Sequence, residues 1–281
     1  MNHSNLSKRN NILLFLFIFS FFASAQSKRF YYEVNFKRDS AGTYPAKDIV
    51  VLEINKDYNI FLSNDYIVTD SLNNIKKDNQ VFAEPKFDQV IIYKKDNHKF
   101  EFIQNLSMYY YKYSVKREIS WNISNEHKKI GAWEATKATT NFGGRSWTAW
   151  FSQDIPLPYG PYVFHGLPGL ILEISDNEKN YHFNLVQNKN YTIELNSNNL
   201  IENLFSDRKI DIAEKDWKKI QLNYYNNPIP EYKKGKAVMF TDKGDEYTPN
   251  DYRNLEKAIQ NQIRGFNNPI ELDKAVTYPK K

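Results

Sequence analysis

Of the side chains able to do chemistry, His165 sits in the most suggestive place. It lies in a stretch between Phe151 and Leu170 that shows neither helical nor strand periodicity, immediately before Gly166. An imidazole there would serve as a general base or as a metal ligand. A catalytic histidine also needs a nucleophile and an orienting acid, and no Gly-x-Ser-x-Gly elbow supplies a serine. His98, His127 and His182 are scattered, with no ligand spacing. Asp154 and Glu173 flank the same stretch. They would make a two-carboxylate hydrolase if folding set them about 5–10 Å apart. Arg145 follows Gly144 at the start of a strand pattern and would either clamp an anion or pair with Glu173 across a sheet. The aromatic set Trp147, Trp150, Tyr159, Tyr162 and Phe164 is either core or a platform for an apolar or sugar ligand. The ligand-binding candidates are therefore Arg145, Trp150, Tyr162, Phe164, His165 and Glu173. Each also has a structural reading, as a packed loop residue or an ion pair that fixes register. No catalytic set, metal site or cofactor is assigned.

The stretch that carries His165 is stiff by composition. Pro156, Pro158, Pro161 and Pro168 alternate with Gly160, Gly166 and Gly169. Long irregular segments in compact domains are usually functional or packed on themselves. Leu167-Pro168-Gly169-Leu170 fits a type II turn, with proline second and a glycine able to take positive φ third. Gly160-Pro161 would open a short helical turn carrying Tyr162 and Phe164. Tyr159, Val163 and Leu167 would add to the segment's own apolar filling.

The elements around it alternate apolar and polar residues, as half-buried antiparallel strands do. Phe30, Tyr32, Val34 and Phe36 share one face of Arg29–Lys37. Ile49–Ile54 and Tyr58–Leu62 flank a turn, as do Phe87–Tyr93 and Lys99–Ile103 around Asp96-Asn97. Met108–Val115 is a further strand. Thr136–Phe142 and Arg145–Phe151 are joined by Gly143-Gly144, which suits a tight primed turn; that turn sets Phe142 against Arg145, Thr140 against Trp147 and Ala138 against Ala149. Leu170–Ser175 and Tyr181–Gln187 form the next hairpin, and Tyr191–Leu195 reads as one more strand. The period then changes. Asp211 with Glu214 resembles a capping box ahead of Ile210, Ala213, Trp217, Ile220 and Tyr224. Thr248-Pro249 opens a second helix with the stripe Tyr252, Leu255, Ile259, Ile263 and Phe266. The tail to Tyr278 is expected to be extended. The pattern predicts an α+β fold: a mainly antiparallel, curved or partly closed sheet with two C-terminal helices packed on it.

Composition narrows the setting. Lys8 and Arg9, the apolar run Ile12–Phe22 and Ala23-Ser24-Ala25 form a secretory signal over residues 1–25, cleaved after Ala25. The remainder, 26–281, reads as one domain, with sheet over 26–195 and helices and tail over 196–281. Asn196–Asn199 is the soft joint between them. Losing Lys8 and Arg9 lowers the formal charge of +5 by two, to +3, too mild for nucleic acid. There is no cysteine, which excludes disulfides, thiolate metal sites, iron–sulfur clusters, cysteine nucleophiles and a cysteine lipid anchor. No later segment is long and apolar enough to span a bilayer.

A family resemblance covers essentially the whole mature chain. Gly166-Leu167-Pro168-Gly169-Leu170-Ile171, preceded by Gly160-Pro161 and followed by Leu172-Glu173, resembles the GLPGLI family, exported proteins of Bacteroidetes. Lys137-Ala138-Thr139-Thr140, Gly144-Arg145, Thr148-Ala149-Trp150-Phe151, Ile155-Pro156 and the late Asn268-Pro269-Ile270-Glu271-Leu272 are similar at matching spacing. Where many members carry a cysteine, two residues before the Lys-Ala-Thr-Thr run, this chain has Ala135. The resemblance implies export and fold, and brings no activity with it. It makes Gly144, Gly160, Pro161, Gly166, Leu167, Pro168, Gly169, Leu170 and Ile171 the structural motif. Asp39-Ser40-Ala41 and Asp70-Ser71-Leu72 resemble the periplasmic O-glycosylation pattern of that phylum. The expected function is that of a periplasmic or secreted, non-catalytic binding or accessory protein serving an envelope or outer-membrane system. Its partner would be an envelope protein or a small apolar or glycan ligand. The alternatives are a lipid carrier in a partial barrel and an envelope hydrolase using His165, Asp154 and Glu173.

Overall fold

The computed structural model describes residues 27–75, 81–107, 109–192, 194–195, 200 and 209–279. The expected signal segment and the expected joint at Asn196–Asn199 lie outside the described residues. The strands are β1 (Ser27–Phe36), β2 (Ala46–Ile54), β3 (Tyr58–Ser63), β4 (Val90–Lys94), β5 (Lys99–Leu106) and β6 (Tyr109–Val115). They continue as β7 (Asn122–Ile130), β8 (Trp133–Phe142), β9 (Arg145–Ser152), β10 (Leu170–Asp176), β11 (Tyr181–Tyr191) and β12 (Lys209–Asp211). The helices are α1 (Asn64–Ile75), α2 (Glu214–Asn226), the single turn α3 (Pro230–Lys233) and α4 (Pro249–Gly265).

All described strands join one twelve-stranded sheet in the order β12-β6-β5-β4-β3-β2-β1-β11-β10-β9-β8-β7. Every pairing is antiparallel except β12 with β6. The sheet is not closed by hydrogen bonds, yet it must curl. β6 lies second in the order and β7 last, so a flat sheet would part them by roughly 48 Å at about 4.8 Å per strand. The connection between them runs only from Val115 to Asn122 and can reach about 25 Å. This connection is a strap across the mouth of an incomplete barrel.

The expected α+β class is corrected. Strand accounts for 41% of the fold and helix for 21%, and the two late helices form no layer on the sheet. α2 lies beside β6 and α4, with Trp217 against Tyr111. α4 reaches α2 through Gln260, which donates to the Tyr225 carbonyl. The reason is that the concave face is already filled. The corner between β9 and β10 occupies it, and that side leaves no apolar face for a late helix to cover. On the convex side α1 covers β3–β5 instead, where Ile60, Leu62, Val90, Ile92 and Ile103 pack with Tyr66.

Other expectations fare unevenly. The β8–β9 register is as the paired glycines dictate: Phe142 opposes Arg145, Thr140 opposes Trp147 and Ala138 opposes Ala149, with Gly143 and Gly144 both at positive φ. β11 runs on to Tyr191, and of the separate strand expected over Tyr191–Leu195 the described residues after Tyr191 show none. Asp211 ends β12 and caps nothing; α2 starts after Ala213 without a side-chain cap. The second helix does start at Thr248-Pro249, with a reciprocal cap between Thr248 and Asp251.

Candidate functional site

The corner is built from the inside. Tyr159 and His165 bridge antiparallel, the Gly166 amide donates to the Pro158 carbonyl, and the Ile171 amide donates to the Tyr159 carbonyl. The expected helical turn after Gly160 is a tight turn, with the Phe164 amide donating to Pro161 and Tyr162 at φ 58°. The expected type II turn at Pro168-Gly169 is also absent, since Gly169 is not at positive φ; Gly166 is, at 94°. Gly169 is glycine for another reason. A Cβ there would lie 2.1 Å from the Ser152 carbonyl oxygen.

The corner drives Tyr162, Val163, Phe164 and Leu167 into the concavity, each at most 5% exposed. Phe102 of β5 lies 6.1 Å from Tyr162, and Trp147 of β9 lies 4.7 Å from Phe164. Two neighbouring corner rings thus connect strands seven places apart in the sheet. What remains beside the corner is a void of about 20 Å³, room for a single water.

The six ligand candidates do not converge. Tyr162 and Phe164 are core. Trp150 and Glu173 sit opposite each other on the convex face. There Lys128 Nζ donates to Glu173 at 2.5 Å and lies over the Trp150 ring, and His182 Nε2 is 3.3 Å from Glu173. Arg145 is on the concave face with Trp147, so the expected Arg145–Glu173 pair cannot form. His165 Nδ1 donates to the Val163 carbonyl at 2.9 Å, with Phe100 and Tyr93 flanking its ring. Asp154 is exposed in the turn after β9. Ser40 and Ser71 are hydrogen-bonded surface residues, Ser40 through Asn267 and Ser71 to the Ile67 carbonyl. No group of three or more His, Cys, Asp or Glu able to hold a metal occurs among the described residues.

Arg145 does anchor something else. Its guanidinium bonds to Asp176 at 2.9 Å, the Asn268 side chain at 2.6 Å, and the carbonyls of Pro269 and Ile270. Asn268 also accepts from the Tyr181 hydroxyl through its carbonyl and donates to the Lys37 carbonyl. The tail is thereby pinned across one end of the barrel, the Leu272 amide reaching the Gly143 carbonyl.

Between this tail, α2, the segment Pro85–Gln89 and the strands β5 and β6 opens a cleft of about 850 Å³. Its floor is aromatic: Phe36, Phe87, Phe102, Tyr113, Tyr162 and Tyr181. At its inner wall the strap and the tail meet. The Tyr162 hydroxyl donates to Glu271 Oε1 at 2.6 Å. One Arg117 nitrogen reaches Glu214 at 2.6 Å and the other oxygen of Glu271 at 3.3 Å, and Lys274 joins Glu214 at 3.3 Å. Arg117 Nε is buried without a hydrogen-bond partner among the described residues.

The proton affinities of the two carboxyls shift in opposite directions. Burial raises the Glu271 carboxyl above its ordinary range, and Arg117 only partly offsets this. Burial would raise Glu214 as well, but there the hydrogen bond and charge of Arg117, helped by Lys274, prevail and lower it. Burial also raises the Tyr162 phenol far above its ordinary value, with the Glu271 charge adding to the effect. A carboxyl raised by folding favours the folded state at low pH and loses that contribution as pH climbs from the unfolded value through the folded one. Glu271→Gln is therefore expected to remove a fall in stability that begins just above pH 4.5. Urea titrations of both proteins between pH 4 and 8 would measure it; parallel curves would contradict the assignment.

None of Arg117, Glu214 or Glu271 reads as a site residue in the sequence, where Glu214 enters only as half of an expected capping box. Glu271 belongs to the recognisable late Asn-Pro-Ile-Glu-Leu run, the one signal that could have found it. Arg117 stands between Lys116 and Glu118 on a short connection, and only the curl of the sheet gives it a role.

Residues 143–173 match a family model described as a protein of unknown function (Porph_ging), a family associated with Bacteroidetes. This match spans the β8–β9 turn, the corner and the first half of β10. No curated protein matches the sequence. Among solved structures, PNGF-II in its P21 crystal form is similar over 70% of this chain at 16% identity, with a TM-score of 0.48. Its C2 form gives 70%, 16% and 0.49. The chain spans about a third of the length of PNGF-II, 33% and 32% in the two forms.

Proposed function

We propose that this is an exported, non-catalytic binding or accessory module of the cell envelope, of the GLPGLI type, and that its ligand seat is the cleft walled by α2 and the tail. The observation that carries the reading is the cleft itself: about 850 Å³, within the size range of small-molecule sites, with aromatic rings at its base and charged groups of both signs around them. Export rests on the N-terminal charge, apolar run and Ala-Ser-Ala pattern. A carrier that holds lipid inside the barrel finds little support, because the corner's own side chains fill that space. A hydrolase built on His165, Asp154 and Glu173 finds little either, because the first is bonded to its own loop, the second is exposed and the third is ion-paired on the convex face.

The test is native mass spectrometry of protein gently extracted from its own envelope. Wild type is expected to retain a ligand, and Gln221→Trp, which projects an indole into the cleft from α2, is expected to lose it at unchanged melting temperature. Full retention by the variant would refute the cleft as the seat. Turnover of glycan, peptide or ester panels by purified protein would refute the non-catalytic reading.

A further inference from the structure

The charge and ring geometry of the cleft go further, given the reading above that it is the ligand seat. Six cations line it: Arg38, Lys86, Arg117, Lys215, Lys218 and Lys274. Against them stand Asp88, Glu214, Glu271 and Asp273. Glu214 and Glu271 are engaged by Arg117 and Lys274, and Asp88 accepts from the Tyr66 hydroxyl at 2.6 Å. Among the described residues, Arg38, Lys86, Lys215 and Lys218 form no salt bridge within 4.0 Å.

Arg38 is the best placed of these. Its guanidinium lies 5.7 Å from the Phe36 ring centre and 5.2 Å from that of Phe266, and one nitrogen donates to the Lys86 carbonyl at 2.9 Å. The rings orient a planar fork whose other donors stay available, the arrangement that recognises carboxylate and phosphate. Flat stacking of a neutral ring on the floor is obstructed. Phe102 already stacks with Tyr113 and lies under Arg117, while Phe36 lies under Arg38. The aromatic lining calls for a hydrophobic body, and the excess of cations over carboxylates, six against four, weighs against a cationic one.

We infer that the cleft binds an amphipathic anion, with its carboxylate or phosphate on Arg38 and its apolar body along the more open part of the aromatic lining, towards Trp217 and Phe266. The experiment is calorimetry with four probes sharing one tail, each below its micellar concentration: decanoate, decyl phosphate, decyl maltoside and decyltrimethylammonium. The anions are expected to bind at least tenfold tighter than the other two. Whichever anion is tighter separates a fatty-acid source from a phosphate headgroup. Arg38→Gln is expected to weaken the anions at least fivefold and leave decyl maltoside unchanged. Lys86→Gln with Lys218→Gln, both exposed, gives the same direction if Arg38→Gln should not fold. Equal affinity for decanoate and decyl maltoside, or no binding by either anion, would overturn the inference. Inorganic phosphate binding as tightly as decyl phosphate would also overturn it, because the apolar body would then contribute nothing. Anion binding that Gln221→Trp leaves intact would instead overturn the choice of cleft.

Discussion

Arg145→Ala is expected to destabilise the protein by about 3–5 kcal/mol, the cost of stripping one partner from a buried ion pair. The side chains of Arg145 and Asp176 are 3% and 1% exposed, so water cannot replace the lost donors. Asp176 would keep only the Tyr181 amide and the Asn180 side chain. The Asn268 side chain and the carbonyls of Pro269 and Ile270 would lose a shared donor. Because those acceptors belong to the tail, the damage concentrates there, and the cleft loses a wall. For a domain of this size the loss corresponds to a melting point lower by roughly 6–20 °C. Thermal unfolding and limited proteolysis would measure both effects. A variant that melts within about 2 °C of wild type, with its tail still protected, would contradict the anchoring role. Arg145→Met combined with Asp176→Asn should recover part of the loss, because it removes the bare buried charge.

Gly169→Ala is expected to cost about 4 kcal/mol or more, among the largest effects a single methyl can have. The added Cβ meets the Ser152 carbonyl oxygen at 2.1 Å, its carbon at 2.6 Å and the Gln153 amide nitrogen at 2.9 Å. All three are backbone atoms at the end of β9, and none can rotate away. Relief requires the start of β10 to move off β9, which would open the pairing of Leu170 with Ser152. Two glycines calibrate the result. Gly166→Ala meets nothing closer than 4.0 Å but sits at φ +94°, so conformational strain of about 1–2 kcal/mol is its whole cost. Gly265→Ala, at the end of α4 with nothing within 4 Å, should be neutral or slightly stabilising. Chemical denaturation of the three variants would rank them. An order with Gly166 above Gly169 would mean that positive φ matters more at the corner than close approach.

The contrast between those two glycines shows what could be read before the fold was known. A glycine after proline suggests a turn, and local chemistry proposes type II; the actual constraint is a neighbouring strand, invisible until β9 and β10 pair. Where the determinant is local, the reading succeeds. Gly143-Gly144 needs two positive φ values in a row, and the β8–β9 register follows. Where a partner elsewhere decides, the reading fails. Asp211 looks like a helix cap, but the parallel pairing of β12 with β6 draws it into the sheet. β7 escapes notice because Asn122–Ile130 carries little alternation; it forms as a charged edge on β8. The candidate residues lie near the corner in sequence, and half of them, Tyr162, Phe164 and His165, build it. Tyr162 alone also reaches the cleft, and its partner Glu271 is 109 residues away.

β1 lies deep within the sheet, bonded to β2 on one side and to β11 on the other, Ser27 opposite Tyr191. A nascent chain can zip β1 to β2 early, but the second flank of β1 waits until Tyr181–Tyr191 has been made. Over that interval a strand bearing Phe30, Tyr32 and Val34 offers bare amides and carbonyls to any neighbour, the condition that promotes intermolecular pairing. Such distant pairing also implies slow, high-contact-order folding. Any nonsense or frameshift product ending before Tyr181 would carry this unfinished edge permanently, and belongs in inclusion bodies rather than in solution.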